Sequence, residues 1–544
     1  MASEQVDYVV VGGGSSGSVV AGELARTTRA EVLLLELGDE ADAHPETLAA
    51  DGYKDAFAND ALVLERFSEP QGQCGRQRLF LGSGRGMGGS GAINGMVYTR
   101  GSREDYEGWP PGWRYDDLVP SFEALEARLR VRPRAATAFT ECFVHAAEQA
   151  GFRRGSLSDG DLTNVIGYQP MNYEGDARRS SYVAFVRDDP PPSLTVRTGA
   201  LVRRVVFEGR RAVGVEIEQA GVRRTVRARR EVVLCAGALE TPKLLMLSGV
   251  GPAATLQRFG IPEVSDRAGV GENLHDHPNV TLFFVGKQPV DSFYPQLYGF
   301  FRANLASDLP ARQSDTCYVM YPARSSLREA AMRMVPPKLP ESLYGDRAKR
   351  IIRAGIAGAT RIGAVERLIE RTWGCVVILG KPKSRGHLTL RSREPGEQAR
   401  IDPAYFAHPE DMQTMLRGVH QARRIAAGAS LSEFGNRAVL PPGFVQRDAA
   451  LRTFIEHNAM TTFHYAGTCR MGDDDAAVVD TSLRVRGVEG LRVADASVTP
   501  VTPVSAMNAP SMMIGLRAAA LLRESFARST PSRAGEDEPA PWSA

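Results

Sequence analysis

Asp7 to Glu36 read DYVVVGGGSSGSVVAGELARTTRAEVLLLE, and this stretch decides the N-terminal fold. A buried strand over Tyr8–Val11 runs into Gly12-x-Gly14-x-x-Gly17. A helix follows, then a second apolar strand over Val32–Leu35 that ends on Glu36, nineteen residues past the last glycine. Strand, glycines, helix, strand and acid in that register form the dinucleotide-binding βαβ unit. Gly12 permits the tight turn, Gly14 lets backbone approach a pyrophosphate, and Gly17 lets helix and strand pack closely. Ser15 and Ser16 open the helix, whose free N–H groups and dipole attract phosphate. Glu36 is placed to accept from ribose hydroxyls and repels a 2′-phosphate, which argues against NADP. The motif alone leaves NAD and FAD open.

The rest of the chain bounds what surrounds that unit. At 544 residues two large lobes are expected. The apolar share of 43% with 24% charged residues is that of an ordinary globular protein, and a net charge of +2 gives no reason to expect nucleic acid. No apolar run approaches the ~20 residues that cross a bilayer, and the first residues lack a basic leader. A cytoplasmic location is the default expectation. The six cysteines (Cys74, Cys142, Cys235, Cys317, Cys375, Cys469) include no C-x-x-C pair, which suits free thiols. His275 and His277, in H-D-H-P, lack nearby partners for a metal, so a structural or flavin-proximal role is expected instead.

A second glycine-rich block, GSGRGMGGSGAINGMVYTRG, spans 82–101, with seven glycines in its first fourteen residues. It reads as a loop where backbone comes close to something flat or charged. Strands are expected over 194–207, 212–218 and 230–237, then a helix over 239–247. Residues 286–325 are aromatic-rich with little period. A helix is expected over 409–426, and strand, loop and helix over 491–519. Segment 324–371 carries eleven Lys/Arg against five acids, with isoleucines, valine and leucine between them at near-helical spacing. It reads as surface helices packed on the core, or as a basic amphipathic lid that admits an apolar substrate or touches anionic lipid.

Taken together, the blocks resemble those of the glucose–methanol–choline (GMC) oxidoreductases, over roughly residues 5–525. Besides the first fingerprint, RGMGGSGAINGMVYTRG (85–101), GALETPKLLMLSGVGP (237–252), FHYAGTCRMG (463–472) and VADASVTP…NAPSMMIG (493–515) carry the likeness. The resemblance is to the choline dehydrogenase-like and alcohol dehydrogenase or oxidase members. It implies an α/β fold: a Rossmann-like FAD-binding domain with a second, α+β substrate-binding domain built on an antiparallel sheet. The expected division gives the FAD domain residues 1–155, 194–285 and 461–526. The substrate domain takes 156–193 and 286–460, with the basic insertion 324–371, and 527–544 form a disordered tail.

The resemblance further implies FAD, an alcohol substrate, and oxygen or a quinone as electron acceptor. His464 falls at the catalytic position, and Asn508 where the family has a second His or Asn. The family usually reads N-P there; this chain has N-A-P, so the local turn is expected to differ. Gly88, Gly89, Asn94, Gly95, Met96 and Val97 would line the flavin, Val202 the adenine, Asp495 and Ala496 the pyrophosphate or ribityl chain, and Met507 the flavin edge. Ile93 stands where some members carry a histidine that bonds FAD covalently, so non-covalent FAD is expected. The chemistry agrees with the two catalytic residues. Oxidising an alcohol removes a hydride and a proton, and histidine is suited to take the proton. An amide can stabilise developing alkoxide charge without titrating. A hydroxynitrile lyase with a redox-idle flavin is the alternative within the same family. Phe293, Tyr294, Tyr298, Phe300, Phe301, Tyr318 and Tyr321, with 373–380, are the pocket candidates, suited equally to choline's cation or to an apolar alcohol.

Overall fold

The computed structural model describes residues 4–339 and 343–529. The chain enters as β1 (Glu4–Val11), α1 (Ser15–Thr27) and β2 (Val32–Leu35), the last matching its expected bounds. It returns to the same sheet as β3 (Leu194–Arg197), β4 (Ala200–Glu208), β5 (Arg211–Gln219) and β6 (Val222–Leu234), and at the far end as β7 (Leu491–Val493). The order is β3-β2-β1-β6-β5-β4, with β7 also on β6. β1 pairs in parallel with β2 and β6, and β6 with β7, whereas β4, β5 and β6 form an antiparallel meander. Val9, Val10, Leu33 and Leu34 are fully buried, as strands covered on both faces require.

Two glycines explain how tightly α1 sits. Gly12 has φ +105° and a Cβ there would lie 2.5 Å from the Cys235 carbonyl oxygen. A Cβ on Gly17 would lie 1.9 Å from the Gly12 oxygen. On its other side α1 packs against the long helix Asn508–Ser529, where a Cβ on Gly515 would lie 2.7 Å from the Ser16 oxygen. That helix starts at Asn508 with Pro510 in its first turn, where a missing N–H costs nothing. It also runs through Ala527 to Ser529, so the tail expected to be disordered begins as helix. Residues 530–544 lie outside the described residues.

The second sheet has eight strands. Its main path runs Arg437–Leu440, Pro278–Val285, Thr372–Leu379, Thr316–Pro322, Leu297–Phe301, Val165–Tyr168 and Arg153–Arg154. It is antiparallel except at its last pair. The aromatic stretch 286–325 therefore holds two strands that its weak periodicity concealed. Side chains alternate across a strand. Val280, Leu282, Phe284 and Val377 face the core, against Trp373 and the helix Pro409–Ala426, which keeps its expected bounds. Asn279, Thr281, Phe283, Val319, Tyr321, Val376 and Ile378 line a cavity on the opposite face.

Replacing Gly17 by alanine is expected to cost about 1–3 kcal/mol through forced overlap. A thermal unfolding midpoint equal to that of the wild type would show that strand and helix are not held this close.

Candidate active site

The two glycine-rich segments meet face to face. Gly88 donates its backbone N–H to the Gly13 oxygen at 2.8 Å, and a Cβ on Gly89 would lie 2.8 Å from the Gly14 Cα. The second segment is not wholly irregular, since Ser90–Ile93 form a single helical turn. Glu36 locks the arrangement. Its Oε2 accepts from Gly13 N (2.8 Å), and its Oε1 from Gly38 N (2.9 Å) and Gly86 N (3.0 Å). Burial pushes this carboxyl up from its ordinary range, and the three N–H groups offset part of that rise. One lone pair on Oε2 is left for a ribose hydroxyl.

From Glu36 and Val202 a single cavity of about 1040 Å³ passes Gly12, Gly14, Ser15 and Ser16, then Gly89, Asn94, Gly95 and Val97. It ends at Asp495, Ala496, Met507, Asn508 and His464. An extended dinucleotide fits this cradle. At Gly14 an added Cβ would meet only Gly89 Cα, at 3.9 Å, so the space beside it is open. Helix α1 has no side-chain cap, which leaves its first N–H groups for phosphate. Ile93 also lines the cavity and offers no nucleophile.

Two expected lining residues, Gly88 and Met96, stand behind the wall instead, while Gly17 packs against Gly12 as expected. Gly88 abuts Ala92, where a Cβ would lie 2.8 Å away. Met96 is fully buried with Ala50 and Met171, and its backbone is left-handed (φ +61°). That turn is held by Asn94, whose Oδ1 accepts from Met96 N and from Arg178 Nη1, each at 2.9 Å. Arg178 also donates to the backbone oxygens of Gly91 and Asn94. It is fully buried, and burial pushes its guanidinium down to about 9. Nothing in the sequence around Arg178 announces this bracing.

Asp495 likewise serves structure as well as lining. Its Oδ2 accepts from Gly237 N (2.9 Å) and Thr241 Oγ1 (2.6 Å), joining the end of β7 to the turn after β6.

At the other end, His464 Nδ1 lies 2.9 Å from His277 Nδ1. Burial pushes His464 down to about 3 and His277 well below its ordinary value, so both rings are neutral and one Nδ1 carries the shared proton. His277 Nε2 is 3.3 Å from Thr502 Oγ1. If His464 Nδ1–H donates to His277, then His277 Nε2–H donates to Thr502, and His464 Nε2 keeps its lone pair. Nε2 has no partner among the described residues. His277 thus stands behind His464 and supports it, whereas His275 turns its Nδ1 to the Asn273 oxygen (2.7 Å). Asn508 Oδ1 accepts from Ser15 Oγ at 3.0 Å, which leaves its amide N–H groups to donate.

Asp276, between the two histidines, sets this geometry and escaped the sequence reading. Its Oδ1 accepts from the backbone N–H of His277 and of His464, both at 2.8 Å. Its Oδ2 accepts from Thr461 Oγ1 (2.5 Å) and from the Tyr405 hydroxyl. The backbone before His464 needs that support, because Phe463 is left-handed at φ +63°. An acid enclosed by H-x-H-P was the available signal.

Of the aromatic candidates, only Tyr298 and Tyr321 line the cavity. Tyr318 and Phe300 are core residues, Phe301 packs on Phe152, and Phe293 is exposed beneath Arg324. Tyr53, Phe57, Phe80, Phe283 and Phe463 line it instead, brought from segments that are distant in sequence.

A dinucleotide cradle that closes on a histidine and an amide, walled on one side by an antiparallel sheet, defines a flavin-dependent oxidoreductase of two-domain α/β architecture. Comparison with known proteins agrees. Family models described as GMC oxidoreductase match residues 6–279 and 382–515. The chain is 33% identical over 536 residues to an oxygen-dependent choline dehydrogenase of Brucella anthropi, covering 94% of this chain and 95% of that one. It is 33% identical over 548 residues to an oxygen-dependent choline dehydrogenase of Klebsiella pneumoniae, covering 95% and 96%. A pyridoxine 4-oxidase from Mesorbium loti superposes with a TM-score of 0.81 at 26% identity, covering 95% of this chain and 99% of that one. An Aspergillus oryzae formate oxidase, at 23% identity, shares the fold with a TM-score of 0.83, covering 97% and 99%. The chain belongs to the GMC oxidoreductase family, and it is an FAD-dependent oxidoreductase that acts on CH–OH groups.

Gly14→Val is expected to fold, because its Cβ meets open space, yet to purify colourless. A yellow Gly14→Val protein would remove Gly14 from the cofactor path. His277→Ala is expected to keep FAD but slow flavin reduction by between about 10- and 10⁴-fold, the larger figure being that of a triad holding the wrong tautomer. Wild-type rates in that variant would show that the histidine contact does not set the tautomer.

Proposed function

We propose that the protein oxidises a primary or secondary alcohol to an aldehyde or ketone, with His464 taking the hydroxyl proton and Asn508 donating to the alcohol oxygen. One observation carries the reading: His464 Nδ1 is engaged by His277, so Nε2 is the free nitrogen of a neutral ring in the same cavity as Asn508. Bound FAD supplies the hydride acceptor. The low basicity that burial imposes on His464 is compatible with this role. As the substrate carbon gives up hydride, its hydroxyl becomes that of a protonated carbonyl, a strong acid. A weak base then suffices, provided that it is unprotonated and correctly placed. Asn508 opposes no charge change of its own, since it does not titrate.

The wall near His464 is built from Tyr53, Phe57, Phe283, Tyr298, Tyr321 and Ile378, which supports an apolar or aromatic alcohol. Glu329, whose side chain is 14% exposed and which also lines the cavity, favours a second reading, a substrate with a positive charge. Oxygen as the acceptor is supported by the names of the choline dehydrogenase relatives; stopped-flow oxidation of the reduced enzyme by oxygen and by a quinone compares the two acceptors.

Anaerobic addition of an alcohol panel, choline included, is expected to bleach the flavin. If no alcohol does so, the alcohol-oxidation reading falls and a hydroxynitrile lyase with an idle flavin becomes the better one. His464→Ala should keep its yellow FAD and lose about 10²–10⁴-fold in the rate of flavin reduction. The acid side of the rate profile tests the base directly. His464 is depressed, so the folded chain binds no proton there between about 3 and 6.5, while the unfolded chain does. Its contribution to stability is therefore full above 6.5 and declines as pH falls. The reduction rate is expected to show no acid limb near 6.5, and a limb at that value that vanishes in His464→Ala would contradict the neutral base.

A further inference from the structure

Helix α2 (Ala323–Met334) roofs the cavity: Leu327, Glu329, Ala330, Ala331 and Met334 line it, and Pro337, Lys338 and Leu339 continue the wall. Two helices, α3 (Asp346–Ala359) and α4 (Gly363–Glu370), pack on α2. The one buried residue of α3 is Lys349, and α4 has none. Helix α3 is fastened to the body through its charges. Lys349 pairs with Glu65 (2.5 Å) and Arg353 with Asp60 (2.6 Å). Arg333 of α2 joins the same two acids at 2.8 and 2.9 Å. Ile352, Ile356, Val365 and Ile369 are half-buried beside these charges, and three other large apolar residues face solvent. Ile351 is 67% exposed, Ile362 57% and Leu368 43%. Arg347, Arg350, Arg361 and Arg367 are exposed beside them, with no ion-pair partner among the described residues. The exposed acids of the two helices are Asp346, 3.9 Å from Lys349, and Glu366.

Two helices that expose three large apolar side chains among four unpaired arginines are matched to an interface of apolar interior and anionic surface. A second copy of the chain fits less well, since a two-fold contact through this face would set arginine against arginine. We propose that α3 and α4 dock the protein on an anionic lipid bilayer, with Ile351, Ile362 and Leu368 entering the acyl boundary and Arg347, Arg350, Arg361 and Arg367 at the headgroups. Docked there, the chain holds the roof of its cavity against the bilayer. The proposal does not depend on which alcohol is oxidised.

Sedimentation of the full-length FAD-bound protein with sucrose-loaded vesicles tests it. The protein is expected to pellet with phosphatidylcholine/phosphatidylglycerol vesicles and to stay in solution with phosphatidylcholine alone. A variant carrying Arg347→Glu, Arg350→Glu, Arg361→Glu and Arg367→Glu, and another carrying Ile351→Ser, Ile362→Ser and Leu368→Ser, should each lose at least about tenfold in vesicle binding. Both should keep their flavin colour and thermal midpoint, which separates lost docking from lost folding. No binding to anionic vesicles overturns the proposal, as does equal binding to neutral ones or binding that either folded variant retains. A wild-type dimer in sedimentation velocity that the serine variant converts to monomer, without vesicle binding, would assign the face to a second copy instead.

Discussion

A single buried carboxylate organises the cofactor half of this protein. Glu36 sits at the end of β2, and a charge there is costly to remove from water unless hydrogen bonds replace the lost hydration. Three backbone N–H groups do so, one from each of three turns: Gly13 in the first glycine loop, Gly38 after β2, and Gly86 in the second glycine loop. Two segments some seventy residues apart are thereby held as one surface, and the Gly88–Gly13 hydrogen bond completes the seam. The cradle follows from that seam. Its glycines are needed for different reasons: Gly12 for its turn, Gly17 for contact, and Gly14 for the space it leaves open.

The His464 end of the cavity repeats the principle. Asp276 is likewise buried, is likewise pushed up by burial, and is likewise satisfied by donors from three places: its own neighbour, the His464 segment, and Tyr405. Here the outcome is chemical as well as architectural. Tying the backbone of His277 and of His464 to one carboxylate brings their Nδ1 atoms to hydrogen-bond distance, and that contact settles which nitrogen of His464 faces the cavity. Both carboxylates illustrate why buried polar groups concentrate where geometry must be exact.

The two helices of the basic segment are held by charge as well as by apolar contact. Asp60 and Glu65 grip Arg333, Lys349 and Arg353, Ile352 and Ile356 are half-buried beside them, and Ile351, Ile362 and Leu368 are exposed. Asp60 is held down to about 2, foremost by its hydrogen bond with Arg353, so the grip persists across the ordinary pH range. The sequence carried the alternation of charges and isoleucines in 324–371 but not the direction in which each face points.

Local chemistry was legible where a residue's role depends on its neighbours in the chain. The Gly12–Gly17 turn, the bounds of β2 and of the helix Pro409–Ala426, and the His464 and Asn508 positions all lie within short patterns. Period-2 strands in 286–325 were harder to read because their two faces are both largely apolar, so alternation was masked. Sequence by itself determined the dinucleotide unit and the family resemblance, because strand, turn and helix preferences act over a few residues. Only the tertiary structure decided that Glu36 braces three loops, that Gly88 and Met96 stand behind the wall, that Asp276 and Arg178 position the site, and that His277 meets His464. Those facts arise from hydrogen bonds between residues tens to hundreds of positions apart, and no local pattern encodes which distant partner satisfies a buried charge.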